Sequence, residues 1–213
     1  MGQGDALSEK LRGLYVIVDP EVAGTRDLVE VARQAIEGGA RLVQLRDKRP
    51  EKVLQMPRAR ALRKLCAKMG ALFIVNDHVY IAVAVKADGV HVGQKDLPLK
   101  IVRRLAPPGM LVGCSTNNAQ EARRAEADGA DYVSVGRLYP TGSKEDTRPA
   151  TPATLREVKA AVSVPVCAIG GINESNIDEV IAAGADMAAV MAAVIAAPDV
   201  REAARRLARR FEA

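Results

Sequence analysis

The chain has 213 residues, of which 48% are hydrophobic and 27% charged, enough for one α/β barrel of roughly 200–250 residues. Its net charge of +5 comes with only 3% aromatic residues, so few rings could stack on bases and no nucleic-acid partner is expected. The longest apolar run, Met187–Ala197, is too short to span a bilayer, and the N-terminal residues lack the apolar centre of a secretory signal. No membrane partner is expected, and three widely spaced cysteines predict reduced, buried thiols and a cytoplasmic location.

Eight short apolar segments predict strands, in the order Leu14–Val18, Leu42–Arg46, Leu72–Val75, Gly89–Val92, Leu111–Cys114, Tyr132–Val135, Val166–Ile169 and Met187–Val190. Helical patterns follow them, beginning near Asp27, Glu51, Val79, Pro98, Ala119, Pro152, Glu174 and Asp199. Residues 1–12 are expected to form a flexible extension or a short helix. Eight strand–helix units favour a single (β/α)8 TIM barrel over an open doubly wound sheet, with residues 1–213 as one domain.

A short repeat supports parallel strands. Most copies have a glycine where a helix ends and a small residue where the next strand starts, as in Glu37–Arg41, Ala87–Gly89, Asp128–Asp131 and Ala183–Asp186. Helix-then-strand units repeated in this way imply parallel strands covered by helices.

Residues 43–48 are the most informative stretch of the chain. Read as a strand, they place Val43 and Leu45 on one side and Gln44, Arg46 and Lys48 on the other. Two cations and an amide on one face are costly to bury unless they are paired. An anionic ligand at the mouth of the barrel would supply the partner.

Two carboxylates are predicted at the carboxyl ends of neighbouring strands. Asp77 follows the third strand and Asp96 the fourth, a pair that fits a hard divalent cation or general acid–base chemistry. Nearby cations at Arg46, Lys48 and Lys144 indicate a diphosphate ligand and favour a metal. The alternative is that Asp77 caps a helix and Asp96 closes a surface turn.

A phosphate site is predicted after the seventh strand. Gly170 and Gly171 precede a helix expected to open at Asn173–Ser175, and such a helix start offers unpaired N–H groups to an anion. The alternative is a tight turn capped by asparagine. The long loop Gly136–Pro149 follows the sixth strand, and its Thr141–Lys144 segment predicts either a clamp on phosphate oxygens or an ordinary flexible loop.

Together these segments resemble the thiamine-phosphate synthase family from Leu14 to Ala196. The resemblance is carried by Val43–Lys48, Ile74–Asp77, Ala87–Gln94 with Asp96, Tyr139–Lys144 and Ala168–Ile172. It implies a transferase of thiamine biosynthesis that joins hydroxymethylpyrimidine diphosphate to a thiazole phosphate, with Mg²⁺ as cofactor. The products are thiamine monophosphate and pyrophosphate. The C–O bond is expected to ionise before the thiazole nitrogen attacks.

The resemblance also implies residue roles. Asp77 and Asp96 would hold the metal, Arg46, Asn76 and Lys144 the diphosphate, and Gln44 the pyrimidine. Arg46, Lys144 and Ser115 are the predicted catalytic residues, with Ser115 near the leaving group and Lys48 in the substrate site. Further substrate contacts are expected from Thr141, Ser143, Gly170, Gly171, Val190, Met191 and Ala192.

Asn117, Ala192, Arg137 and His78 depart from the family pattern, which more often has histidine, serine, proline and a charged residue there. None of these changes removes a metal or diphosphate group. The alternatives are a thiazole tautomerase of the same ancestry and a non-catalytic barrel that binds a phosphorylated ligand. The sequence leaves the oligomeric state open, a homo-oligomer included.

Overall fold

The computed structural model describes residues 10–49, 54–141 and 148–212. Eight parallel strands close into one barrel in sequence order, with β1 hydrogen-bonded to both β2 and β8. They are β1 Gly13–Val18, β2 Leu42–Leu45, β3 Leu72–Asn76, β4 Gly89–Val92, β5 Leu111–Thr116, β6 Tyr132–Val135, β7 Val166–Ile169 and β8 Met187–Val190. The predicted TIM barrel is confirmed, and each predicted strand is present with its ends within two residues.

Helices alternate with the strands around the outside. They are α1 Pro20–Ala23, α2 Leu28–Glu37, α3 Gln55–Met69, α4 Val79–Val85, α5 Leu99–Leu105, α6 Ala119–Ala127, α7 Pro152–Ala161, α8 Ile177–Ala182, α9 Ala192–Ile195 and α10 Val200–Ala208, followed by a 3₁₀ turn at Arg209–Phe211. The short helices α1 and α9 were not predicted. Each has only four residues, too few to show a hydrophobic period.

Two apolar layers hold the barrel together. Alternate side chains of each strand face outward to the helices or inward to the lumen, as Val16 and Tyr15 do on β1. The buried lumen cluster consists of Leu11, Tyr15, Ile17, Leu42, Ile74, Leu111, Tyr132, Cys167, Met187 and Ala189. Leu11 belongs to the segment expected to be flexible or a short helix, yet it is buried in this cluster. The lumen is therefore a packed core, and ligands must bind at its rim.

The repeated glycines make the turns from helix to strand. Gly39, Gly129 and Gly184 have φ of +106°, +96° and +96°, a region that residues with a side chain rarely adopt. In the Ala87–Gly89 copy, Lys86 takes the left-handed conformation instead, with φ of +53°. The repeat in the sequence thus marks a repeated backbone turn.

Cys66, Cys114 and Cys167 are buried and unpaired, as predicted. Within the described ranges, no helix is long and apolar enough to cross a membrane.

Candidate active site

A cavity of about 1040 Å³ lies at the carboxyl ends of the strands. It is large enough for two small organic molecules or one of drug size. Most of the predicted site residues line it, namely Arg46, Lys48, Asp96, Ser115, Thr141, Gly170, Gly171, Val190, Met191 and Ala192. Predicted site residues from six strand ends therefore lie at one opening.

Three further predicted residues do not line the cavity, and two lie outside the described residues. Gln44 is buried in the lumen, where its amide nitrogen donates a 2.6 Å hydrogen bond to the Tyr15 hydroxyl. Asn76 ends β3 and Asp77 follows it, and neither residue lines the cavity. Ser143 and Lys144 lie outside the described residues.

The prediction that Arg46 lacks a protein partner is wrong. The strand β2 ends at Leu45, and the guanidinium of Arg46 forms an ion pair with the carboxylate of Asp19. The Asp19 side chain is only 1% exposed, and it also accepts a 2.9 Å hydrogen bond from the Glu21 amide at the start of α1. One buried carboxylate thus caps a helix and orients the cation towards the cavity.

Sequence reasoning missed Asp19, although a signal for it was present. Asp19 directly follows β1, at the same end of the barrel as the other polar residues, and Pro20 follows it as the first residue of a helix. An aspartate before a proline is a common helix start. Its second role as a partner of Arg46 depends on a residue 27 positions away.

Asp77 and Asp96 lie side by side. The carboxyl of Asp96 is hydrogen-bonded to that of Asp77, and burial together with this neighbour raises the pKa of Asp96. Asp77 adopts a left-handed backbone with φ of +63°, which is uncommon for a residue with a side chain. Its carboxylate pairs with Lys48, whose side chain is 45% exposed.

The alternatives for these two aspartates are resolved differently. The N-cap position of α4 is His78, so Asp77 does not occupy the cap position of that helix. Asp96 does close a turn, because its carboxylate accepts a 2.7 Å hydrogen bond from the Gly93 amide. That turn also points the second carboxylate at the first.

The two carboxylates fit a hard divalent cation. Burial above all, and then the neighbouring carboxyl of Asp77, disfavour the ionised form of Asp96 and raise its pKa, a cost that a bound cation would offset. Within the described part of the chain, no group of three or more His, Cys, Asp or Glu side chains could hold a metal. Magnesium commonly takes one or two carboxylates and completes its shell with water and phosphate oxygens.

The helix expected near Glu174 begins later, at Ile177. Residues between Gly171 and α8 form a turn in which asparagine side chains take the amide hydrogens. Asn173 N–H donates to Asn176 Oδ1 at 2.9 Å, and Ser175 N–H donates to Asn173 Oδ1 at 2.9 Å. Both N–H groups thus already have acceptors in the protein, and the asparagine-capped turn is the better description of this segment.

The packing of two loops requires glycine at position 171. Its φ is +66°, and a Cβ there would lie 2.7 Å from the Pro140 carbonyl oxygen and 2.8 Å from that of Tyr139. The loop after β6 packs on the turn after β7, where Tyr139 N–H donates to the Gly170 carbonyl at 3.0 Å. Glycine here lets two loops meet at the cavity wall.

The far end of the same loop is fastened to α6. Arg148 forms two hydrogen bonds to Glu121, at 2.7 and 2.8 Å, and these bonds lower the pKa of Glu121. The Asn117 amide donates to the carbonyls of Arg148 and Pro149 at 3.0 and 3.2 Å. Asn117, a departure from the family pattern, therefore binds backbone at the rim of the cavity.

Arg137 is a cation that sequence reasoning noted only as a departure. It lines the cavity beside Gly170, whose added Cβ would lie 2.7 Å from the Arg137 Cα. Arg46, Lys48 and Arg148 each pair with a carboxylate. Among the described residues, no hydrogen bond or ion pair engages the guanidinium of Arg137, so its charge faces the cavity without a protein anion.

His91 is a packed interior residue. Its ring is buried in the lumen and hydrogen-bonds to Tyr132 and Ser115. Ser115 lines the floor of the cavity, so the histidine contacts the site from beneath.

Comparison with known proteins gives one consistent result. The family model for thiamine monophosphate synthase matches residues 14–194. The chain is 48% identical over 195 residues to the thiamine-phosphate synthase of Shouchella clausii, covering 91% of this chain and 93% of that protein. It is 49% identical to the thiamine-phosphate synthase of Methanocella arvoryzae, covering 91% and 92%. The structure of thiamine phosphate pyrophosphorylase from Pyrococcus furiosus superimposes with a TM-score of 0.89 and 40% identity, covering 97% of this chain and 98% of that one.

Proposed function

The chain belongs to the thiamine monophosphate synthase family and is a transferase, and we propose that it joins hydroxymethylpyrimidine diphosphate to a thiazole phosphate. The products would be thiamine monophosphate and pyrophosphate. The observation that carries the proposal is the placement of two carboxylates and two cations, Asp77, Asp96, Arg46 and Lys48, at one side of a single cavity.

The diphosphate would bind on the β2–β4 side. Arg46 is held by Asp19 with one face on the cavity, so it meets the anion without first losing much side-chain freedom. Lys48 is more exposed than Arg46 and pairs with Asp77, and its ammonium would contact a phosphate oxygen of the bound diphosphate. Both positive charges would stabilise the negative charge that develops on departing pyrophosphate.

Asp77 and Asp96 would hold Mg²⁺. A divalent cation held there would supply positive charge to offset the charge of the leaving group. The protein's part is to present both carboxylates in ionised form, against the burial and mutual repulsion that raise the pKa of Asp96. Asn76, which ends β3 just before Asp77, would add a neutral hydrogen bond to the diphosphate.

The thiazole phosphate would bind at the β6–β8 side. Gly171 and the backbone from Val190 to Ala192 line this part of the cavity, and Arg137 supplies a positive charge there. Ala192 carries no hydroxyl, so a cation from the neighbouring loop would offset that loss. With these sites, the phosphorylated ends of the two substrates would lie on opposite walls, with the reacting carbon and nitrogen between them.

No protein nucleophile is needed for this reaction, because the thiazole nitrogen attacks and pyrophosphate leaves. Ser115, at the floor of the cavity, would donate a hydrogen bond to the leaving group. Gln44 would orient the pyrimidine from the lumen side. Thr141, with Ser143 and Lys144 outside the described residues, would close over the phosphates and keep water from a reactive cation.

The direct test is incubation with both phosphorylated substrates, with and without Mg²⁺, while pyrophosphate release is followed. We expect release only when both substrates and the metal are present. Thiazole phosphate binding without any pyrophosphate release would favour the non-catalytic barrel. Isomerisation of the thiazole without coupling would favour the tautomerase.

Asp96 offers a matched pair of variants for the metal assignment. Asp96→Asn keeps an oxygen that can accept from the Gly93 amide, whereas Asp96→Ala removes both the charge and this turn contact. We expect both variants to fold and both to lose turnover by at least a hundredfold, since each lacks the charge. Near-normal turnover in Asp96→Asn would assign this residue to the turn alone.

A further inference from the structure

A chain of hydrogen bonds runs through the barrel lumen beneath the cavity. Gln44 Nε2 donates to the Tyr15 hydroxyl at 2.6 Å, and the Tyr15 and Tyr132 hydroxyls are 3.2 Å apart. The Tyr132 hydroxyl lies 3.0 Å from His91 Nδ1, and His91 Nε2 lies 2.9 Å from Ser115 Oγ. The chain thus links the residue proposed to hold the pyrimidine to the serine proposed to meet the leaving group.

The fold makes room for this chain at Gly113. His91, Gly113 and Tyr132 are register partners on β4, β5 and β6, all facing the lumen. A Cβ on Gly113 would lie 2.1 Å from Tyr132 Cζ and 2.5 Å from His91 Nδ1. The missing side chain on the middle strand lets side chains two strands apart stack, with ring centroids 5.5 Å apart, and hydrogen-bond.

Counting donors and acceptors favours one direction for the protons along these hydrogen bonds, the one in which every hydroxyl hydrogen has an acceptor. Because Tyr15 accepts from Gln44, its single hydroxyl hydrogen is left for Tyr132. The hydroxyl hydrogen of Tyr132 is then left for His91 Nδ1, which must be an acceptor. A neutral imidazole with Nδ1 as acceptor carries its hydrogen on Nε2, so it donates to Ser115.

Burial agrees with this assignment. Tyr132 is fully buried, and burial raises the pKa of both tyrosines far above the ordinary value, so both hydroxyls keep their protons. In such an interior an unpaired donor or acceptor is costly, which makes the single consistent direction strongly favoured.

Ser115 is the end of the chain. In the direction assigned above, its oxygen accepts from His91 Nε2, which also lies 3.4 Å from Ser134 Oγ. Ser134 Oγ donates to Ser115 Oγ at 3.5 Å. Because His91 and Ser134 are the donors in this direction, the Ser115 hydroxyl donates to no protein atom among the described residues. Its own hydrogen therefore faces the cavity.

We propose that Tyr15, Tyr132 and His91 are positioning residues that hold Ser115 as a hydrogen-bond donor towards the substrate's leaving group. The catalytic part of this inference rests on the proposed function. The proton direction does not, because it follows from the lumen contacts alone. The two parts are therefore tested separately.

The first test reads the tautomer of His91 and needs no substrate. The protein has two histidines, so ¹⁵N-labelled protein gives two sets of ring signals, and His78→Gln assigns them. We expect His91 to be neutral, with hydrogen on Nε2 and none on Nδ1, across pH 6–8. Hydrogen on Nδ1 would overturn the inference, whatever the enzyme does.

The second test asks whether the chain acts through Ser115. We expect Tyr132→Phe to lower kcat about ten- to a hundredfold, as a misplaced catalytic group does, with KM for either substrate nearly unchanged. In a Ser115→Ala background the same change should lower kcat less than twofold, because its target is gone. Equal losses in both backgrounds, or kcat within twofold of wild type in Tyr132→Phe alone, would show a merely structural role.

Val133→Ala is the matched control. Val133 is buried on β6 next to Tyr132, but it faces the helices. Its truncation therefore destabilises the barrel without removing any of the lumen hydrogen bonds. We expect its kcat to stay within twofold of wild type. If Tyr132→Phe does not fold, Tyr15→Phe breaks the chain one step earlier and is judged by the same criteria. An inactive wild type would reject the proposed function and leave the tautomer result standing.

Discussion

Replacing Asp19 by asparagine would test how the site holds its main cation. Asparagine can still accept from the Glu21 amide, so the cap of α1 survives and only the ion pair with Arg46 is lost. Arg46 would then be left as a cation that is 12% exposed, with a buried Nε that already has no hydrogen-bond partner among the described residues.

The expected cost follows from that burial. Removing one partner of a buried ion pair typically costs about 3–5 kcal/mol, and the remaining contact of Arg46 with the cavity should reduce this to about 2–3 kcal/mol. Urea denaturation followed by circular dichroism would measure the change in the free energy of unfolding. We also expect KM for the diphosphate substrate to rise, because Arg46 loses its fixed orientation.

Asp27→Asn is the matched control for this prediction. Asp27 also caps a helix, accepting from the Val29 and Glu30 amides at 2.7 and 3.2 Å, but it is exposed and forms no ion pair within the described residues. We expect a change below about 0.5 kcal/mol. Equal, small effects of the two substitutions would refute the idea that Asp19 holds Arg46 against a real desolvation cost.

Three further predictions concern the cavity wall. Arg137→Ala should raise KM for the thiazole phosphate about tenfold or more and leave KM for the diphosphate and for the unphosphorylated thiazole unchanged. The same rise in the exposed variant Arg123→Ala would show that the loss of net charge, and not of a phosphate contact, is the cause. Gly171→Ala should destabilise the protein by about 1–3 kcal/mol and weaken thiazole phosphate binding, because its Cβ meets two carbonyl oxygens; unchanged melting would contradict the packing described. Glu121→Gln should lower the free energy of unfolding by about 0.5–1 kcal/mol at pH 7. This difference should disappear as the pH falls through the lowered pKa of Glu121, because the wild-type carboxylate is then neutral too. A difference that persists at pH 2 would exclude the ion pair as its cause.

Much of the fold could be read from the sequence because it depends on local pattern. A strand buried on both faces must be a short apolar run, and a helix-to-strand turn with positive φ favours glycine. The boundaries that were missed were those that a side-chain contact decides. Helix α8 starts three residues late because Asn173 and Asn176 use their side chains to close a turn in front of it.

The candidate site could be predicted only as a set of strand ends. Parallel strands of one barrel carry their carboxyl ends to the same rim, so polar residues after each strand had to gather there. What each residue contacts was not in that pattern. Arg46 has a buried partner in Asp19, Asn117 binds loop carbonyls, and Arg137 faces the cavity without a carboxylate among the described residues.

The sequence by itself therefore determined the barrel, the order of its strands and the ring of polar residues at its mouth, since these follow from periodicity and from the chirality of the chain. Only the tertiary structure decided which polar groups pair. Tyr15 and Tyr132 are 117 residues apart and meet only because the barrel closes. Tyr132 in turn reaches His91 because Gly113 has no side chain between them. Such contacts depend on distances across the closed barrel, and a local sequence pattern does not contain those distances.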